Sequence, residues 1–211
     1  MSNNARELLR YCRVIAAVIA VAVLLSLDIG GAVGTAVKYT VFFLLSLLAG
    51  YDLHSVSKPT VVYTAYSVCL TLAFTVFLSY IMPSPPQDIS FDALTVVQVL
   101  FLAPIFEELF FRGALVSFSH PLLSAFASAL LFGSFHGSGW LQAFLLGFVF
   151  SYFYISSRSI AVPIICHFSN NLLALICMYR DIRIPAFVVS TVLALLIYKG
   201  VKRNKHEKEI L

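Results

Sequence analysis

Three short polar groups interrupt an otherwise apolar chain of 211 residues. Glu107, Glu108 and Arg112 lie in Ala103-Pro-Ile-Phe-Glu-Glu-Leu-Phe-Phe-Arg-Gly-Ala-Leu-Val116, apolar on both sides. His136 closes the stretch Phe132-Gly-Ser-Phe-His136, and His167 stands four residues before Asn171 in His167-Phe-Ser-Asn-Asn171. These residue types suit hydrolysis. A carboxylate or an imidazole can take a proton from water. An imidazole and a carboxamide at i,i+4, stacked about 6 Å apart on one helical face, can both donate to an oxyanion.

Their setting makes them conspicuous. At the centre of a membrane helix each ionised side chain costs about 2.5 to 3.5 kcal/mol on insertion scales. Glu108 and Arg112 are i,i+4 and share a face, so pairing removes part of that cost. Glu107 has no partner within its own helix, which makes it the candidate base. Gly133 and Gly137 bracket His136 as a small-xxx-small pair that would let another helix approach. Pro104 and Pro163 lie shortly upstream of Glu107 and His167, where each would loosen a backbone turn.

The elements that must position these groups are membrane helices. Of the residues, 60% are hydrophobic and 11% charged, and the mean hydropathy is +0.93. That is far more apolar than a soluble domain. With about 20 apolar residues per span, helices are expected near 12–30, 36–51, 60–82, 92–118, 121–136, 140–157, 160–179 and 184–201. The second, fifth and sixth are short, so the count is seven or eight. The expected fold is all-α: a polytopic membrane protein of about eight transmembrane helices around a polar intramembrane cavity. Residues 1–211 form a single transmembrane domain, with the motif-bearing core at about 92–179. Turn signals at Asp28 to Gly31, Lys58-Pro59, Pro83 to Pro86, His120-Pro121, Gly137 to Gly139, Ser156 to Ser159 and Arg180 to Arg183 separate the spans. No repeat is visible, and the first apolar run reads as a retained helix rather than a signal peptide.

With eight spans and both termini inside, the inner side collects Arg6, Arg10, Arg13, Lys58, Arg158, Lys199, Lys202, Arg203, Lys205 and Lys208. The outer side receives only Lys38, Arg180 and Arg183. The positive-inside rule therefore favours cytoplasmic termini, with the plasma membrane as the expected location. The tail from Lys202 reads as a solvated anchor against anionic lipid. Nucleic acid is not implied by the net charge of +4. Cys12, Cys69, Cys166 and Cys177 lack zinc or disulfide spacing, and are expected to be buried small hydrophobes.

Each polar residue also has an ordinary explanation. Glu108 with Arg112 is a structural clasp, a single membrane histidine is often just hydrogen-bonded, Pro163 suits a first helical turn, and the crowd of Phe106, Phe110, Phe111, Phe132 and Phe135 is packing. What these explanations leave over is the joint occurrence: an uncompensated carboxylate, two histidines and an amide on three separate spans.

The three motifs, Glu-Glu-x-x-x-Arg at Glu107-Glu108-Arg112, Phe-x-x-x-His at Phe132-His136 and His-x-x-x-Asn at His167-Asn171, resemble those of the CAAX protease and bacteriocin-processing (CPBP, or Abi) membrane proteases, which include the type II CAAX prenyl endopeptidase. The resemblance covers roughly residues 92 to 179. It implies an intramembrane endopeptidase acting near the end of a membrane-associated or lipidated peptide. By that resemblance Glu107 and His136 activate the attacking water, His167 and Asn171 form the oxyanion hole, and Glu108 and Arg112 support the geometry. No cofactor is expected, although Glu107, His136 and His167 also read as a His2Glu zinc set. The expected partners are the lipid bilayer and a membrane-associated or prenylated peptide. Two alternatives stay open: a non-catalytic member serving as a bacteriocin immunity factor or scaffold, and an ion-coupled transporter, against which the missing repeat speaks. One tension remains, since these spans put His136 near the outer end of its helix and Glu107 near mid-depth.

Overall fold

The computed structural model describes residues 12–13, 15–20, 31–48, 60–82 and 92–210. Apart from short helical turns at 12–13 and 15–20, these residues make seven helices and no strand. They are α1 (Gly31–Leu48), α2 (Val61–Ile81), α3 (Ala93–Ala114), α4 (Pro121–Ser134), α5 (Trp140–Ser157), α6 (Ala161–Tyr179) and α7 (Arg183–Ile210). A single 3-10 turn, Gly137–Gly139, joins α4 to α5. The polar loops expected around Asp28, Lys58-Pro59 and Pro83 to Pro86 lie outside the described residues.

Local chemistry sets the helix ends. The Thr60 hydroxyl accepts from the Tyr63 N–H at 3.2 Å, and an Asp92 oxygen accepts from the Thr95 N–H at 2.7 Å, so both are N-caps. Pro121 opens α4, where its missing N–H is harmless. Arg158 ends α5 in the left-handed conformation with φ 52°. Asp181 receives the Arg183 N–H at 3.1 Å and its guanidinium at 2.8 and 2.6 Å just before α7. Past the expected end near 201, α7 continues to Ile210, because the Lys- and Glu-rich tail consists of good helix formers.

The arrangement inverts the pattern of a water-soluble fold. Val61, Leu122, Leu123 and Leu196 are exposed, whereas Glu108, Arg112, Ser128 and Ser151 are buried. Apolar surface facing outward is stable against lipid and not against water. Among the described residues five helical stretches are long and apolar enough to cross a membrane: Val61–Ile81, Ala93–Ala114, Gly137–Ser157, Ala161–Tyr179 and Arg183–Lys202. The expected sixth span reaches crossing length because the 3-10 turn extends α5. The fifth stays short, as Pro121–Ser134. Of the four cysteines only Cys166 is buried; Cys69 and Cys177 are half-buried and Cys12 is exposed, against the expectation of burial throughout. An exposed thiol on an apolar helix is compatible with a lipid surface.

Packing is tightest between α4 and α5, which form a hairpin, while α2 packs along α7 and α6. Gly133 permits the hairpin: a Cβ there would lie 2.7 Å from the Trp140 carbonyl oxygen and 2.9 Å from Phe144 Cβ. Gly137, the other member of the small-residue pair, touches nothing in this way and serves the turn instead, with φ +53°. Replacing Gly133 by Leu is therefore expected to pry α4 from α5 and lower stability by about 1 to 3 kcal/mol. Gly137→Ala would act only through backbone strain. Thermal melts of the two variants in detergent check the difference.

Candidate active site

Two π-helical segments, Gln98–Leu102 and Leu109–Ala114, divide α3 and leave both glutamates on the short α-helical piece Ala103–Glu108 between them. Such insertions concentrate at functional sites. The first has a cause in the sequence. In its register Ala103 N–H donates to the Gln98 carbonyl, five residues back. The next donor, meant for the Val99 carbonyl, would be residue 104, a proline with no N–H. The Asn171 side chain supplies it, Nδ2 donating to Val99 O at 2.8 Å. Pro163, by contrast, sits in the first turn of α6 and disturbs nothing.

Consecutive helical residues point about 100° apart, so Glu107 and Glu108 serve different neighbours. Glu108 is fully buried. Its Oε1 accepts from Arg112 Nη1 at 2.9 Å and from His167 Nδ1 at 2.8 Å. Arg112, equally buried, donates from Nη2 to the Gly147 carbonyl at 2.9 Å. Its guanidinium lies 4.5 Å from the centre of the Phe132 ring and 5.5 Å from that of Phe150. Gly147 is required here, because a Cβ would come within 2.9 Å of Arg112 Nη2. The i,i+4 pair expected from sequence is thus one half of a trio that ties α3 to α5 and α6.

Glu107 is also buried, at 8% exposure, and points to a different partner: Lys38 Nζ of α1, 3.9 Å away. His136 sits in the turn after α4, its Nδ1 2.7 Å from the Phe132 carbonyl. With Nδ1–H donating there, the basic nitrogen of the neutral ring is Nε2. Glu107, His167 and Lys38 all lie within electrostatic range of His136. Phe132 is the common wall: its ring centre is 4.4 Å from that of His136 and 5.8 Å from that of His167.

The depth conflict between His136 and Glu107 dissolves in the length of α4. Its 14 residues rise about 21 Å, short of a hydrocarbon core of about 30 Å. The turn carrying His136 can therefore meet a mid-helix residue of α3.

Of the sequence-predicted residues, Glu108, Arg112 and His167 are hydrogen-bonded together, and Glu107 and His136 come within electrostatic range. Among the described residues no hydrogen bond joins Glu107 to His136. Asn171 is four residues beyond His167, with one amide hydrogen on Val99 and its Oδ1 accepting from Asn170 Nδ2 at 3.0 Å. Asn170 Oδ1 in turn accepts from the Thr75 hydroxyl of α2 at 2.7 Å. Among the described residues no three His, Cys, Asp or Glu groups stand together as a metal cluster; His167 Nδ1 pairs with Glu108, which leaves Nε2 as the ring nitrogen a metal would use.

Sequence reasoning missed Lys38, assigned to the outer loops by a span drawn from residue 36. Because α1 begins at Gly31, Lys38 lies two turns inside it. The signal was available: a lone cation in an apolar helix is as conspicuous as a lone carboxylate. Thr75 and Asn170 carried no such signal, since uncharged polar residues are common in membrane helices.

An all-helical protein with apolar outward faces and an ionised cluster sealed between its spans belongs to the polytopic membrane proteins. Residues 89–173, which contain all seven motif residues, match the family model for type II CAAX prenyl endopeptidase Rce1-like proteins. The match supports CAAX-protease-type function at the level of the family. No curated protein and no solved structure matches the chain.

Glu108→Ala leaves Arg112 buried without its carboxylate, and breaking a buried pair from one side costs about 3 to 5 kcal/mol. A large fall in melting temperature, with activity lost through the fold, is expected. A Glu108→Ala protein that melts like wild type yet does not cleave would show Glu108 to be chemical.

Proposed function

We propose that this protein is an intramembrane endopeptidase that hydrolyses a peptide bond near the end of a membrane-associated or lipidated peptide without a metal. It would do so as one transmembrane domain of about eight spans, with both termini cytoplasmic. The observation that carries the reading is the placement of Glu107 and His136, from separate elements, within electrostatic range of each other beside the locked Glu108–Arg112–His167 trio.

In the proposed reaction Glu107, with His136, removes a proton from water as the oxygen attacks the scissile carbonyl carbon. The resulting oxyanion takes hydrogen bonds from His167 Nε2–H and from the Asn171 amide hydrogen that Val99 does not use. With His167 Nδ1 on Glu108 Oε1, the donor offered to the oxyanion is the ring's other nitrogen in its protonated form. The proton on Glu107 then passes to the amide nitrogen as the C–N bond breaks. Arg112 holds Glu108, and through it His167, in place.

Glu107→Gln preserves shape and removes the carboxylate, so peptide cleavage is expected to fall by about three or more powers of ten with expression and melting unchanged. Activity within tenfold of wild type overturns the role of the base. A panel of prenylated and leader peptides offered to the purified protein reads the substrate class.

The same assay separates water activation by Glu107 from zinc chemistry. Chelation is expected to leave cleavage intact, while Asn171→Ala loses about 2.7 to 4 kcal/mol of transition-state stabilisation. Since that variant also strands the Val99 carbonyl, kcat is compared on folded protein only. One mole of zinc per chain, with activity following its removal and return, overturns the metal-free reaction.

A further inference from the structure

Lys38 belongs to α1, outside the segment 89–173 that matches the family. Yet its ammonium approaches the carboxylate proposed as the base, Nζ to Glu107 Oε1 being 3.9 Å. Three further observations bear on what it does there. The ammonium is cradled by aromatic faces, 5.2 Å from the Tyr39 ring centre and 5.9 Å from that of Phe42. Those two rings also fix α1 against α3: Tyr39 stacks on Phe106 at 5.7 Å, and Phe42 meets Phe110 at 5.4 Å. Phe106 and Phe110 flank the glutamates in sequence, so the contact that docks α1 also sets the distance between cation and carboxylate. Finally, Lys38 is within electrostatic range of His136 as well.

The Lys38 side chain is 30% exposed and that of Glu107 11%. With its ammonium part-exposed, a pair at this separation adds little to stability, whereas a point charge beside a buried carboxylate fixes where that carboxylate points.

We infer that Lys38 is a positioning residue for the hydrolytic reaction: from α1 it holds the Glu107 carboxylate in one orientation toward the water shared with His136. The inference rests on the assignment of Glu107 as base. It makes α1 part of the active machinery, although the family match stops short of it. The charged and titratable groups that face Glu107 are Lys38 and Tyr39 from α1, Arg112 from α3 and His136 from the turn after α4.

The test is steady-state kinetics of Lys38→Met and Lys38→Arg in the full chain, with melting temperatures and the Lys38→Met/Glu107→Gln double variant. Lys38→Met is expected to lower kcat 10- to 100-fold with KM within twofold of wild type and an unchanged melt. Lys38→Arg is expected to recover most of the rate, since it restores the charge. The double variant should be no slower than Glu107→Gln alone. Lys38→Met with kcat within twofold of wild type overturns the inference while leaving Glu107 as base. So does a loss confined to KM, or one that Lys38→Arg fails to recover. If instead Glu107→Gln itself retains activity, the assignment of the base fails first.

Discussion

The structure turns on one carboxylate oxygen, Glu108 Oε1, which receives both Arg112 and His167. In a bilayer-facing fold an unpaired charge is the costliest thing a helix can carry. A charge that must be paired becomes a constraint on which helices meet. Glu108 and Arg112 share α3, His167 comes from α6, and the Gly147 carbonyl that accepts from Arg112 Nη2 comes from α5. Pulling any of the three helices away would expose a charge or a buried acceptor to hydrocarbon. Much of the polar centre can be understood as the set of contacts needed to keep these groups satisfied.

The same economy explains the backbone of α3. A proline in a membrane helix leaves a carbonyl without its donor, and in lipid no water replaces it. Here Asn171 does, and Asn170 and Thr75 in turn hold Asn171. The amide proposed as an oxyanion donor therefore has a structural task, filled by one of its two hydrogens. The arrangement joins α2, α3 and α6 through a polar chain lying apart from the Glu108 trio.

Between these two fixed structures lies the less constrained part: Glu107, His136 and Lys38. Their contacts are longer, and no hydrogen bond among the described residues locks Glu107 to either partner. The division of the adjacent glutamates into a clamped and an unclamped member follows from the 100° step between consecutive helical residues.

Much of this was legible in the residue order. The all-helical membrane character follows from composition, most helix positions from the length of apolar runs and their turn residues, and the Glu108–Arg112 pair from its i,i+4 spacing. The segment's resemblance to the family follows from the three motifs. Those are local properties, fixed by covalent neighbours and by what lipid allows. The tertiary structure alone decided that His167 joins Glu108 rather than standing free beside Asn171, that Asn171 replaces the donor Pro104 lacks, and that Lys38 reaches Glu107 instead of an outer loop. Each of these joins residues 59, 72 or 69 positions apart. No spacing rule covers such separations, because they depend on the angle and depth at which helices pack. The packing is set in turn by glycines such as Gly133 and Gly147 and by the aromatic rings that lie between the helices.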